Sequence, residues 1–246
     1  MKAIILAAGV GNRLGDISKG KPKCLLEFEG KSLLHRHITL LKQLGITEIL
    51  VVTGYRQDAI KDELLRLDVD ENVRTVYNAE FRLGSVISLW TAREFLEPDD
   101  DVILMDADVL YDCNILKILV NTLHDNCFLL DRDFEPGDEP VKICVHDNTM
   151  VEFRKHIDTQ LEFDSQGESV GFFRFSGKVS EQLARHCKEY IDGDQKETPY
   201  EEVIRDLLLQ TPDEFNFEDI TGLSWIEIDF PEDFSRAINE VLSKIN

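Results

Sequence analysis

Ala3-Ile4-Ile5-Leu6-Ala7-Ala8-Gly9-Val10-Gly11-Asn12-Arg13-Leu14 is the stretch on which the fold turns. Residues 3–7 form an uninterrupted apolar run, the pattern of a buried strand. The glycines that follow let backbone N–H groups approach and cradle phosphate oxygens. A dinucleotide fingerprint would need a third glycine where Leu14 stands, and Arg13 beside it argues the same way. Further on, residues 15–21 spell GxxxxGK, but Pro22 follows. Proline offers neither a hydroxyl for a metal ion nor an N–H for phosphate, so a P-loop is discarded.

Outward from this stretch, apolar runs alternate with helix-period segments. A helix is expected over 31–44, with Leu34, Ile38 and Leu41 on one face and Gly45 as its stop. Then come a strand at 48–53, a helix at 57–67, a strand at 73–77, a helix at 85–96 and a strand at 101–105 running into Asp106-Ala107-Asp108. Four strands with helical crossovers predict an α/β fold with a mostly parallel sheet between helices. Past residue 126 the style changes to short antiparallel strands at 127–131, 141–146, 149–155 and 170–175, read as a small inserted sheet covering one end of the core. Helices at 178–191 and 199–209, a strand at 224–228 and a last helix opening at Pro231, with Glu232 and Asp233 in its first turn, complete the pattern. Without repeats or linkers, residues 1–246 read as a single domain.

The 246 residues carry 48 Asp and Glu against 27 Lys and Arg, a formal charge of −21, which would repel a nucleic-acid backbone over most of the surface. A hydrophobic share of 43% with 30% charged residues is ordinary globular usage. The five cysteines form no CxxC pair or zinc spacing, as expected of free thiols in a reducing compartment. The apolar run at the start is too short for a signal peptide, and no stretch is long enough to span a membrane, so a cytoplasmic protein is expected.

In so acidic a chain the few cations carry information. Arg13, Lys19, Lys21 and Lys23 fall within one short loop directly after the first strand. They read either as a solvated basic loop or, better, as a clamp for a triphosphate. Asp106 and Asp108 sit at the carboxyl end of their strand, where open α/β sheets bind ligands, and a DxD pair can bring oxygen ligands to one Mg²⁺. Glu227 and Asp229 flank one residue on a strand, so both point to one face and offer a second carboxylate group.

Leu6 to Leu14, then Lys21-Pro22-Lys23-Cys24-Leu25-Leu26 and Gly30-Lys31-Ser32-Leu33-Leu34, resemble the signature of the nucleotide-diphospho-sugar pyrophosphorylase superfamily (LAAGxGxRL…PKxLL…GKxLL). Within it the chain is most similar to bacterial phosphocholine cytidylyltransferases and their phosphonate-using relatives; Trp225 to Asp233 resemble their (W)xEIDxPED element. The resemblance implies a Rossmann-like GT-A-type fold, with residues 1–125 as the nucleotide half and 126–246 as the acceptor and metal-completing half. It implies nucleotide contacts along Leu6, Ala8, Gly9, Gly11 and Asn12, and neutralisation of the triphosphate and leaving pyrophosphate by the catalytic Arg13 and Lys23. Asp108 and Asp229 become the Mg²⁺ ligands, and Asp106 a co-ligand or a partner behind it.

By the same resemblance Gly84 and Ser85, with Asn78 nearby, read the pyrimidine edge, although Ser85 equally suits a helix N-cap. Lys142, Glu168, Tyr200, Glu201, Trp225 and Glu227 fall at acceptor positions, with Tyr200 and Trp225 equally suited to the core. A choline-like cation would want aromatic faces and carboxylates. The expected reaction is transfer of CMP from CTP to a small phosphate or phosphonate, by a monomer or homodimer. The rivals are a sugar-1-phosphate uridylyl- or thymidylyltransferase and a non-catalytic nucleotide-binding protein.

Overall fold

The computed structural model describes residues 1–18 and 20–245; Lys19 of the basic loop lies outside them. In chain order the strands and helices are β1 (Lys2–Ala7), β2 (Glu27–Phe28), β3 (Lys31–Ser32), α1 (Leu33–Gln43), β4 (Ile49–Thr53), α2 (Gln57–Arg66), β5 (Val73–Tyr77), α3 (Val86–Thr91), β6 (Val102–Asp106), β7 (Val109–Tyr111), α4 (Cys113–Asn121), β8 (Cys127–Asp131), β9 (Lys142–His146), β10 (Thr149–Arg154), β11 (Ser165–Phe175), α5 (Gly177–Asp192), α6 (Tyr200–Gln210), β12 (Asn216–Asp219), β13 (Trp225–Glu227) and α7 (Pro231–Arg236).

β1 lies between β4 and β6, parallel to both, with Leu6 opposite Val52 on one side and Asp106 on the other. β5 adds beyond β4, so the parallel core runs β5-β4-β1-β6. Ala3, Ile4 and Ile5 are fully buried because the sheet is covered on both faces. Ile4 packs with Val52, Leu104 and Phe173 on one face, while Ile5 packs with Val51, Ile103 and Phe172 on the other, as the pleat requires.

The antiparallel strands continue this sheet instead of forming a separate one. The carboxyl end of β11 pairs with β6, Phe172 opposite Met105, while its amino end pairs with β9, Gly167 opposite Ile143. One long strand therefore stitches the two halves together. An edge-to-face cluster of Phe128, Phe153 and Phe173, with centroids 5.0–5.8 Å apart, fills the space beneath it.

Three local features differ from the expected elements. The 85–96 helix ends at Thr91 and continues as a 3₁₀ turn. The α4 helix, not expected, is started by Asp112, whose side chain accepts from the Asn114 N–H. β7 and β13 form a separate antiparallel ribbon, Val109 opposite Glu227. That ribbon matters most for function, because Asp108 immediately precedes it and Asp229 follows it. The Ile228 N–H donates to the Asp108 carbonyl at 3.0 Å, so two carboxylates 121 positions apart in the chain are held side by side. No helix among the described residues is long and apolar enough to cross a membrane.

Candidate active site

Asp108, Glu227 and Asp229 each offer a carboxylate oxygen, and the three oxygens lie within 4.8 Å of one another. Three like charges this close repel unless a cation joins them. Lys23 supplies one: its Nζ donates to Asp108 Oδ2 at 2.8 Å and also to Asp229 Oδ1. Burial opposes the charge on Lys23, but Asp108 and Asp229 more than offset it, and its pKa goes up. Arg13 adds a second cation, donating to Asp229 Oδ2 at 2.9 Å with its guanidinium 4.8 Å from the centre of the Phe230 ring. Crowding on the protein side, then the charges of Asp108 and Asp229, push Glu227 up, although it stands exposed at the rim.

The backbone around Asp229 is fixed by the helix that follows. Pro231 opens α7, and the Asp233 carboxylate accepts from the Asp229 and Phe230 N–H groups at 3.0 and 2.7 Å. On the opposite wall Gly11 adopts φ +66°, and a Cβ there would lie 3.0 Å from Lys23 Cγ. Glycine thus serves two needs at once: a left-handed turn and room for the Lys23 stem. Gly9, Gly11, Asn12, Arg13, Lys23 and Asp108 line a cavity of about 460 Å³, with Phe81, Arg82 and Leu83 across from them. Asp229 lines the neighbouring cavity and is tied to this one by Arg13 and Lys23, so the four charged groups form one cluster between the two. Lys21 is exposed and pairs with Glu27 at 3.6 Å, outside that lining.

Leu6 and Ala8 stand at the end of β1 and just beyond it, Ala8 buried and its carbonyl accepting from the Tyr55 N–H. Asp106 is set back from the three-carboxylate group, where Tyr200 donates its hydroxyl to Oδ2 at 2.7 Å. Burial, then Asp108, push its carboxyl up, against the Tyr200 hydrogen bond.

The expected base-reading residues are placed differently. Asn78 is only 1% exposed; its amide donates to Ser88 and its carbonyl accepts from the Glu80 N–H, so it holds a turn and does not line the cavity. Ser85 stands at the N-cap position of α3 as expected, but its Oγ accepts from the Tyr200 N–H at 2.8 Å instead of from the helix, and it does not line the cavity. Gly84 packs so closely on the 197–198 backbone that a Cβ would come within 2.3 Å of it. This turn docks α6 onto α3, leaving Leu83 and Arg82 to face the cleft.

Beyond the carboxylates lies a second cavity of about 520 Å³. Asp131, Glu135, Glu139 and Glu168 line one side and Glu227, Asp229 and Asp233 the other, with Phe134, Trp225 and Phe230 as aromatic walls and Arg236 as the cation. Trp225 donates its indole N–H to Asp131 Oδ2 at 2.7 Å, which fixes the ring. Burial, then Asp131, push Glu168 up to about 7. Lys142 is not turned to an acceptor: its ammonium donates to the carbonyls of Gly137, Pro140 and Lys155 and anchors the loop over this cavity. Burial likewise pushes up the Glu201 carboxyl; its Oε2 is buried with no hydrogen-bond partner among the described residues, beside a smaller cavity lined by Arg154, Lys155 and His156.

Comparison with known proteins identifies the family. Residues 3–168 match the model of the MobA-like NTP transferase domain. The chain belongs to that family. It is 28% identical over 261 residues to the CTP:phosphoglutamine cytidylyltransferase of Campylobacter jejuni, covering 98% of this chain and all of the relative. It is 36% identical over 133 residues to the choline-phosphate cytidylyltransferase of Haemophilus influenzae, about half of each chain. Among solved structures, the CTP:phosphocholine cytidylyltransferase of Streptococcus pneumoniae superposes with a TM-score of 0.74 at 23% identity over 96% of each chain, a likeness of fold. This NTP transferase is accordingly a nucleotidyltransferase enzyme.

Sequence reading missed two residues of the transferase's cleft. Lys155 Nζ and Arg13 Nη1 donate to the same oxygen, Glu139 Oε2, each at 3.1 Å. Lys155 lines the smaller cavity beside Glu201 and reaches the acidic one only through Glu139, which lines it. The signal available in the sequence was weak: Arg154-Lys155-His156 is a basic run in an acidic chain at the end of a strand. Glu139 sits in a loop whose composition announces nothing.

Proposed function

We propose that this chain is a Mg²⁺-dependent cytidylyltransferase that moves CMP from CTP to a small phosphate or phosphonate whose far end carries a cation. The observation that carries the acceptor class is the acidic, aromatic-walled cavity beside the carboxylate cluster. A quaternary or primary ammonium gains from both wall types, whereas a neutral sugar needs neither.

The residues fit a hard divalent ion, since Asp108, Asp229 and Glu227 present only oxygen donors within 4.8 Å. Asp108 and Asp229 would hold it, and once bound it supplies charge neutralisation at the phosphates. Lys23 and Arg13 then turn from carboxylate to phosphate: Lys23 toward the α-phosphoryl oxygens and Arg13 toward the bridging and leaving oxygens. Gly9 and Gly11 let the backbone reach the phosphate chain.

The Glu139 carboxylate stands between Arg13 and Lys155, and we assign the acceptor's phosphoryl group to the Lys155 side of it, away from the pyrophosphate that leaves toward Arg13. An oxygen of that group attacks the α-phosphorus; the bond to the bridging oxygen of the β-phosphate breaks and pyrophosphate leaves. The attacking oxygen is already ionised at neutral pH, so neither a nucleophilic side chain nor a dedicated base is required. Alignment and charge account for the rate. Five free, buried cysteines support a reducing, cytoplasmic setting.

The test is pyrophosphate release with CTP, UTP, dTTP, ATP and GTP, each against phosphocholine, 2-aminoethylphosphonate, a polyol phosphate and glucose 1-phosphate, with Mg²⁺. Turnover with CTP and a cation-bearing acceptor is expected. Faster turnover of UTP or dTTP with the sugar phosphate would replace this reading by that of a sugar-nucleotide synthase.

A further inference from the structure

Behind the Asp106-Ala107-Asp108 turn lies a histidine that none of the chemistry above uses. His37, on α1, is completely buried. Its Nε2 lies 3.2 Å from the Ala107 carbonyl oxygen and its Nδ1 3.2 Å from the Tyr111 hydroxyl. A carbonyl can only accept, so Nε2 carries the proton. Burial holds the ring neutral, its pKa pushed down to about 4, so Nδ1 is bare and accepts from Tyr111. Tyr111 stacks on the imidazole at 5.4 Å with 17° between the planes, and Phe172 closes the edge at 6.1 Å. The ring therefore has one tautomer and one orientation.

The Ala107 carbonyl belongs to the peptide plane that ends at the nitrogen of Asp108. The next carbonyl, that of Asp108, is held by the Ile228 N–H. Asp106, on the other side, is held by Tyr200. Each residue of the turn is thus gripped by a different element: α6, α1 and the segment after β13.

We propose that His37 is a positioning residue: by donating to the Ala107 carbonyl it sets the peptide plane before Asp108 and aims that carboxylate at the site shared with Asp229 and Glu227. This rests on reading Asp108 as a metal ligand. An apolar residue of similar size would fill the same space but leave the carbonyl without a donor and the peptide free to rotate. Partners that orient metal ligands in this way typically change affinity 10- to 100-fold when removed.

The probe is Mn²⁺, titrated by electron paramagnetic resonance in the presence of CTP and absence of acceptor, with thermal melting followed separately. His37→Leu should raise the Mn²⁺ Kd about 10-fold or more. His37→Gln, whose amide N–H can reach Ala107, should stay within about threefold of the wild type, since the donor is kept. Asp108→Asn separates the two layers: if it binds Mn²⁺ as the wild type does, the metal reading falls and the positioning role with it. If Asp108→Asn loses Mn²⁺ while His37→Leu keeps it, only the positioning role is overturned. Should His37→Leu not fold, ¹⁵N spectra of the wild-type ring decide: the neutral Nε2–H tautomer through pH 5.5–8 supports the proposal, and the Nδ1–H tautomer overturns it.

Discussion

Replacing Lys23 by alanine separates the two jobs that the geometry gives it. In the cleft the ammonium bridges Asp108 and Asp229 with its side chain only 15% exposed. Removing it deprives the α-phosphate of one preorganised donor, a loss of about 2.7 kcal/mol in the transition state, or roughly 100-fold in kcat. The same change leaves three carboxylates without their closest cation, and partial solvent access limits that cost to about 1–3 kcal/mol. For a chain of this size that corresponds to a fall in Tm of roughly 2–12 °C. A divalent ion competes with the ammonium for the same oxygens, so the Mg²⁺ concentration for half-maximal activity should stay level or fall. The assay is pyrophosphate release at 20 °C with saturating CTP and acceptor over a Mg²⁺ series, beside thermal melts with and without Mg²⁺. A drop in kcat under threefold with an intact fold would refute the role of Lys23; a large rise in the Mg²⁺ requirement would refute its place as a counter-ion at the metal ligands.

Gly11→Ala combines a left-handed backbone with a Cβ pressed on the Lys23 stem, so kcat should fall at least 10-fold, about 1.4 kcal/mol; unchanged kinetics would show that Lys23 needs no such room. Glu139→Gln releases Arg13 and Lys155 from a shared carboxylate, and the acceptor KM should fall severalfold with kcat level; a rise would mean that Glu139 itself grips the acceptor's cation. Glu168 has its carboxyl raised from the usual range to about 7, so the folded state holds a proton that the unfolded chain has released between about pH 4.5 and 7. Stability from this group is therefore lost as pH rises through that window, by roughly 1–3 kcal/mol after allowing for partial exposure. Glu168→Gln should raise Tm more at pH 8 than at pH 5, and an equal shift at both would contradict the raised value. Tyr200→Phe leaves the Asp106 carboxylate without its donor, costing about 1–3 kcal/mol in urea unfolding, and no loss would place that hydrogen bond outside the stability of the fold.

The parallel core was legible because its strands are buried on both faces and read as unbroken apolar runs, 3–7 and 102–105 above all. The four charged residues of the cleft were legible for a different reason. Each stands where a strand or a glycine loop ends, in a chain whose composition makes cations scarce. What escaped reading depends on pairing across long separations. The strand at 224–228 was expected, but β7 is three residues, too short for a period to show, and the β7–β13 register that brings Asp108 to Asp229 is not written in either segment. The continuation of β11 across both halves is likewise invisible to local pattern. The turn at 84–85 shows residue types that suit several roles: Gly84 and Ser85 suit a base-binding loop, and the structure also has them dock α6, a contact no local pattern announces. Lys155 and Glu139 meet only because the loop after β8 folds back over β10, and neither residue alone signals the other.

The most direct measurement is a crystal of the protein grown with CTP and Mn²⁺, with the ion located by its anomalous scattering. The expected result is one ion at about 2.0–2.3 Å from oxygens of both Asp108 and Asp229, with the triphosphate between it and the side chains of Lys23 and Arg13. An ion held away from these two aspartates, or a nucleotide bound with Lys23 and Arg13 still locked on carboxylates and touching no phosphate, would contradict it.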